Sequence, residues 1–393
     1  MALALPSIQR ALAIEHIDGW LLYDFHGSNP IAVKLAGLAG SGKMTSRRWL
    51  YFIPATGTPK KLVHAIEPDV LDGLPGDRVP YSGRRQFEQQ VTDMLRGCKV
   101  LAMEYSPECN IPYLSRVDAG TVDFLRRIGM RVVSSGDLVQ RFEAVWDEAA
   151  VATHRAASEA LYRIKDRAFD YIGAKLSARA AVTEYEVQQS MLAWFREEGL
   201  VSDSAPIVAA EENAGNPHYG PTAAKSRAIR PNELVLLDLW GKLDQPGAVY
   251  ADITWTGFGG DAPEEIAHVF SIATAARDAA IAKVQSTIEA GQELHGWEVD
   301  RAARDLITAA GYENAFIHRT GHSLGEQVHG NGVNMDDFET RDDRMLIPGT
   351  GFTIEPGIYT QTFGIRTEIN MVVGQTSAEV TGPVQRKLVR IAT

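Results

Sequence analysis

Leu234-Val-Leu-Leu-Asp238-Leu-Trp240, then Gly-Lys-Leu-Asp-Gln-Pro-Gly, then Val249-Tyr-Ala-Asp252-Ile-Thr-Trp255, is the stretch on which the reading of this chain turns. Two apolar runs flank Asp244-Gln-Pro-Gly247, which is the composition of a β-hairpin. Pairing the arms symmetrically about Gln245 sets Asp238 opposite Asp252, with Cβ atoms roughly 5 Å apart. Like charges so placed destabilise a bare sheet, and a cation between them would remove the conflict.

The same pattern returns near the C-terminus. Phe352-Thr-Ile-Glu355-Pro-Gly-Ile-Tyr359 and Gly364-Ile-Arg-Thr-Glu368-Ile-Asn-Met-Val-Val373 flank Thr360-Gln-Thr-Phe363, and symmetric pairing sets Glu355 opposite Glu368. Arg366 shares the side of Glu368 by the two-residue period of a strand. One facing carboxylate pair could lie at a solvated edge. Two such pairs, each inside an apolar strand, favour a metal site, because buried charge is costly unless compensated. A fifth candidate is His322 in Phe316-Ile-His-Arg-Thr-Gly-His322-Ser-Leu-Gly-Glu-Gln-Val-His329, where flanking glycines let the backbone come close. Four carboxylates and one imidazole, with no sulfur, suit a pair of Mn²⁺, Co²⁺, Fe²⁺ or Zn²⁺ ions.

Working outward, 393 residues at 45% hydrophobic and 23% charged are enough for two domains. Thirty-nine Lys and Arg against fifty Asp and Glu give a net charge of −11, which argues against nucleic acid or an anionic membrane as the main partner. Two cysteines, Cys98 and Cys109, are too few for a disulfide framework or a thiolate zinc site, and a reducing cytoplasm is expected. Met1 to Trp20 has no basic region before its apolar start, so no signal peptide is read, and no run approaches the roughly 18 apolar residues of a spanning helix.

Residues 18–140 alternate strand-like runs (20–23, 49–53, 100–103, 131–133) with helical stretches (85–97, 120–129), the signature of an α/β domain. A long Ala-rich helix is expected from about Asp147 to Leu176. The expected domains are therefore 1–146 and 147–393. The C-terminal domain carries signs of an internal duplication. Thr183-x-x-Glu186 opens one helix and Glu298-Val299 another, and in both a Gly follows the Glu by thirteen residues. Each helix leads into a segment carrying histidine, His218 in one copy and His318 with His322 in the other.

The five-residue set Asp238, Asp252, His322, Glu355 and Glu368 resembles that of the pita-bread metallopeptidases, the family of methionine aminopeptidase, aminopeptidase P and prolidase. The likeness covers nearly the whole chain. The extra N-terminal α/β domain and the Glu-Pro-Gly-Ile-Tyr and Gly-Ile-Arg-x-Glu segments are similar to the proline-specific branch. The resemblance implies an α/β N-terminal domain followed by an α+β pita-bread catalytic domain with an internal twofold pseudo-repeat. It further implies a hydrolase that cleaves the Xaa-Pro bond of dipeptides with a hydroxide shared between two ions. Asp238 would chelate one ion, Asp252 and Glu368 would bridge, and His322 with Glu355 would hold the other. Glu355 would also shuttle the proton, His218 and His329 would meet substrate and the oxyanion, and His318 would lie near the proline pocket. Arg366 would anchor a carboxylate or the substrate. The family's Thr-Arg-Thr after the second Asp is here Thr254-Trp255-Thr256, which puts the outer pocket in question.

Arg341, fourteen residues ahead of Glu355, matches the position of the prolidase carboxylate-binding arginine, and a solvated charged loop is the competing reading. An Xaa-Pro dipeptide is thus the expected substrate. Aminopeptidase P activity on longer peptides is the alternative, and a non-catalytic pita-bread binding protein the different-class one. Full-length relatives imply a homodimer in which one N-terminal domain narrows the other's cleft.

Overall fold

The computed structural model describes residues 3–393; Met1 and Ala2, which open the stretch read as lacking a signal peptide, lie outside it. The chain divides into two compact units between Glu143 and Ala144. In the first unit, β1 (Gly19–Asp24), β2 (Trp49–Pro54), β3 (Lys60–His64), β4 (Asp77–Tyr81), β5 (Val100–Met103) and β6 (Arg131–Ser134) form one mixed sheet in the order β4-β3-β2-β1-β5-β6. Its helices are α1 (Leu5–Ile14), α2 (Pro30–Leu35), α3 (Arg84–Met94), α4 (Ala119–Arg127) and the short α5 (Gly136–Val139). Alternate residues of β1 serve opposite layers. Trp20 and Leu22 pack with α1 and α2, whereas Leu21 and Tyr23 pack with α3 and α4. The strands and helices expected here are present, and α1, α2, β3 and β4 join them.

The other unit starts with α6 (Glu148–Ser177), whose first turn is capped by Asp147 accepting from the Ala150 amide at 2.8 Å. Then follow α7 (Glu184–Glu197), β7 (Leu200–Val201), β8 (Ile207–Ala210), β9 (Leu234–Leu243) and β10 (Ala251–Gly259). Its latter half repeats the order with α8 (Glu264–Glu289), α9 (Gly296–Ala309), β11 (Ser323–Leu324), β12 (Gly351–Ile354), β13 (Gly357–Tyr359), β14 (Gly364–Arg366), β15 (Ile369–Val373), β16 (Ala378–Val380) and β17 (Val389–Ile391). Both α7 and α9 have 14 residues and begin alike: the Glu186 carboxylate accepts the Thr183 amide, and Glu298 the His295 amide. A long helix, a capped shorter helix and then a sheet make up each half of the pseudo-repeat.

The hairpin of β9 and β10 is present, but its register differs from the expected one. Asp252 pairs with Trp240, and Asp238 with Thr254, so the turn is centred one residue later, on Pro246. The cause lies in the ends of the arms. Lys242 and Leu243 pair with β7, and the Tyr250 amide donates to Gly325, so the link between the arms is wider than a tight turn. Because the slip moves each partner by two residues, Asp238 and Asp252 stay on one face as diagonal neighbours. The other face, with Leu237, Leu239, Ile253 and Trp255, packs on α6. The Glu355–Glu368 pair keeps its expected register: Ile354 with Ile369 on one side and Gly357 with Arg366 on the other bracket the two residues.

One buried group on α6 gives this unit a pH dependence. His154 is fully buried, its Nδ1–H donating to the Tyr250 carbonyl at 2.8 Å and its Nε2 accepting from the Thr381 hydroxyl at 2.7 Å. Burial pulls its pKa from 6.5 down to about 4, so the folded ring stays neutral where the unfolded one takes a proton. Stability should therefore be fully present above pH 6.5 and fall as pH drops toward 4, by about 3 kcal/mol from this group. Denaturant unfolding at several pH values should show a shallower loss in His154→Gln than in the parent; parallel slopes would exclude this origin.

A candidate dinuclear metal centre

The site forms where the two sheets of the C-terminal unit meet. The Glu368 amide donates to the Thr254 carbonyl at 3.1 Å, and the Asp252 amide to Asn370 Oδ1 at 3.0 Å, joining β10 to the 368–370 segment. Asp252, His322 and Glu368 each offer a ligand atom, all within 4.8 Å of one another. His322 Nε2 lies 3.6 Å from Asp252 Oδ2 and 3.5 Å from Glu355 Oε1. Asp238 enters from β9 and is ion-paired with Arg366. The structure thus brings together all five residues singled out in the sequence.

The segment holding His322 is fixed from below. A Cβ on Gly321 would come within 1.9 Å of the Thr353 carbonyl, so only glycine permits this approach. Asp300 of α9, wholly buried, accepts the Thr320 amide at 2.9 Å and binds both ends of the Arg304 guanidinium at 2.7 and 3.0 Å. Arg304 in turn donates to the carbonyls of Phe316 and His318, at 3.1 and 2.7 Å. This clamp was not foreseen from the sequence, where an i,i+4 Asp–Arg pair reads as an ordinary exposed ion pair.

Electrostatics set the character of the cluster. Burial, then the charges of Glu368, Asp238 and Glu355, push the Asp252 carboxyl well above its ordinary value. Burial likewise raises Glu368, followed by Glu355 and Asp238. Glu355 rises to about 7, burial again leading and Arg366 opposing. Asp238 is raised by burial, against the pull of Arg366. His322 is held well below its usual value by burial and His329, and so presents a neutral imidazole. Buried acids drawn toward protonation by one another are what a divalent cation would relieve. Asp252 Oδ1 and Glu368 Oε1 supply a direct sign, being buried with no hydrogen-bond partner. The residues therefore fit a metal centre.

The other expected site residues are placed as follows. His329 packs its ring edge-on against His322, centroids 4.4 Å apart, and the charge of exposed His218 is felt at both Asp238 and His329. His318 hydrogen-bonds the Tyr359 hydroxyl at 2.8 Å through Nε2, and burial takes its pKa to about 3. Arg366 donates to Thr254 Oγ1 at 2.9 Å and Tyr359 Oη at 3.0 Å, and lies 3.9 Å from Glu355. Arg341 is not gathered with them: it is exposed, stacked on Trp297 at 4.1 Å and 3.4 Å from Asp337. Buried Arg319 is the other cation, after Arg366, whose charge lowers Glu355.

Trp255 does not line this site. Its odd position on β10 turns it to the α6 face, where Lys165 Nζ lies 3.7 Å over its ring. The concern about the outer pocket is thereby removed from this residue. Thr254, on the site face, is a residue the sequence reading passed over: its hydroxyl donates to Glu368 Oε2 at 2.7 Å. The alternation Asp252, Thr254, Thr256 was the signal available for it.

Residues 149–375 match the pattern of Metallopeptidase family M24. The chain belongs to that family. It is 34% identical over 202 residues to the Xaa-Pro dipeptidases of Lactobacillus helveticus and Lactobacillus delbrueckii subsp. lactis, an alignment covering 51% of this chain. The match spans about half the length of these relatives, 49% of each. Among solved structures, the dipeptidase PepE of Mycobacterium ulcerans superposes with a TM-score of 0.72 at 23% identity, over 99% of this chain and 97% of that one. A prolidase from Thermococcus sibiricus gives 0.64 at 23%, over 98% of both. These likenesses give the fold of the whole chain, an α/β unit followed by the pita-bread unit.

Groups that bind the ligand residues tune the centre from outside. Thr254→Val, which removes the hydroxyl held by Glu368 and Arg366, should weaken Mn²⁺ binding by roughly 10–100-fold while leaving the circular-dichroism spectrum unchanged. Calorimetric titration with Mn²⁺ checks this, and unchanged affinity would sever Thr254 from the centre.

Proposed function

We propose that this protein is a metal-dependent Xaa-Pro dipeptidase. The observation that carries the reading is the set of buried Asp238, Asp252, His322 and Glu368 with half-buried Glu355, two of whose carboxylate oxygens have no partner. Those five residues would hold two divalent ions, Mn²⁺ being our choice for this donor set. Bound there, the ions would supply Lewis acidity toward the scissile carbonyl and make water acidic enough to attack it. Glu355 is the carboxylate proposed to take up the proton and return it to the leaving proline nitrogen. His218 and His329 are proposed to donate to the carbonyl oxygen as it gains charge. His318, fixed by Tyr359, is proposed to line the proline side.

A dipeptide ends in a free carboxylate and so asks for a cation. Arg341 remains our candidate, because its guanidinium rests on an indole face and its ion pair is long. We also propose a homodimer and a cytoplasmic location; Cys98 and Cys109 are both free thiols, and no helix among the described residues is long and apolar enough to cross a membrane.

Asp252→Asn should abolish hydrolysis through loss of metal, since a shared ligand loses its charge. Metal analysis of the purified variant reads this, and full occupancy with full turnover would refute the role. For the substrate class, an Xaa-Pro dipeptide should be cleaved faster than an Xaa-Pro-Xaa tripeptide by the Mn²⁺-loaded enzyme; equal rates would favour aminopeptidase P. Arg341→Ala should cost about 10–100-fold in kcat/KM on the dipeptide and leave a C-terminally amidated substrate nearly unaffected. An equal loss on both would remove Arg341 from carboxylate binding and make Arg319 the next residue to replace.

A further inference from the structure

The first unit carries a cleft that peptide hydrolysis does not use. It lies between α3 and α4 on the sheet face to which Tyr23 and Leu50 point, with a volume of about 680 Å³. That is within the range of roughly 300–1,000 Å³ usual for small-molecule sites. Its position also fits. The strand order runs outward from β1 to β4 and then returns to place β5 on the other side of β1. Tyr23 and Phe25, which line the cleft, stand at the carboxyl end of β1, beside this reversal. Crevices at such points are where open α/β sheets bind ligands.

The walls are specific in character. The rings of Phe87 on α3 and Phe124 on α4 are 6.3 Å apart. The Arg48 guanidinium lies 4.0 Å over Phe87, and that of Arg127 5.3 Å over Phe124. Neither arginine forms an ion pair among the described residues, although Arg84 at the same cleft is matched by Glu88 at 2.7 Å. The remaining acid, Asp118, is engaged by the Thr121 amide and hydroxyl at 2.9 and 2.7 Å, as the cap of α4. The cleft therefore offers an aromatic wall and two cations without counter-ions.

We infer that this cleft binds a small aromatic carboxylate, its ring against Phe124 and its carboxylate between Arg48 and Arg127. Guanidinium groups already seated on ring faces are pre-organised, so little rotamer freedom is lost when they meet an anion.

Calorimetric titration of the full chain with 1-naphthoate tests this, with uncharged 1-naphthalenemethanol as the comparison. Saturable binding near one naphthoate per chain is expected. It should weaken about tenfold or more for the alcohol, and by a similar factor in an Arg48→Gln, Arg127→Gln double variant. That variant should melt within a few degrees of the parent and hydrolyse an Xaa-Pro dipeptide at the parental rate, which separates loss of the cleft from loss of fold. Equal binding of acid and alcohol, or full naphthoate affinity in the variant, would overturn the proposal. So would an apparent affinity that falls as protein concentration rises, because another copy of the chain would then be the occupant.

Discussion

Four carboxyl groups and one guanidinium share a buried space at the junction of two sheets, and the C-terminal unit is arranged around holding them there. Acids this close repel one another and are poorly solvated, so nothing in their own chemistry keeps them together. The frame must. A backbone bond from the Glu368 amide to the Thr254 carbonyl, and one from the Asp252 amide to the Asn370 side chain, lock the sheets together. Arg277, fully buried on α8, donates to Thr367 Oγ1 at 2.5 Å and to the Gln385 carbonyl at 2.9 Å, fixing the residue before Glu368. The Asp300–Arg304 clamp does the same for the segment ahead of His322.

The pseudo-repeat explains how one chain delivers such a set. The first half contributes Asp238 and Asp252 from β9 and β10, and the other contributes His322, Glu355 and Glu368 from its own sheet. Neither half alone gathers enough donors for two ions. The long helices α6 and α8 each cover the outer face of one sheet and leave the junction between the sheets for polar residues. A repeat of helices backing strands thereby places function along its own seam.

How much of this was legible in the sequence follows from the physics of strands. Side chains alternate, so the shared face of Asp238 and Asp252 was readable even though the register was misplaced; a slip of one residue would have sent them to opposite faces, and a slip of two does not. Glu355 and Glu368 were readable in register because the ladders on either side of them share one register. What was not readable depends on contacts distant in the chain. The competition of β7 for Lys242 and Leu243 comes from some forty residues away, and the clamp of α9 joins a helix to a loop. Arg341 was placed by its spacing from Glu355, but spacing says nothing about Trp297, on whose ring it rests. Trp255 shows the converse: strand parity, applied to the residue itself, already turned it away from the site.

Charge compensation is unequal across the cluster, and this inequality says where a cation is most needed. Asp238 already has Arg366, which is itself anchored by Thr254 and Tyr359 and whose charge is favoured by its carboxylate neighbours despite its burial. Asp252 and Glu368 have no such partner, and each keeps one buried oxygen unmatched. The neutral imidazole of His322 donates from Nδ1 to the Ser323 carbonyl at 3.1 Å, which leaves the lone pair of Nε2 directed at the acids. The demand for positive charge is therefore concentrated at the Asp252–His322–Glu368 corner. At Asp238 an incoming ion must share its carboxylate with a guanidinium already in place.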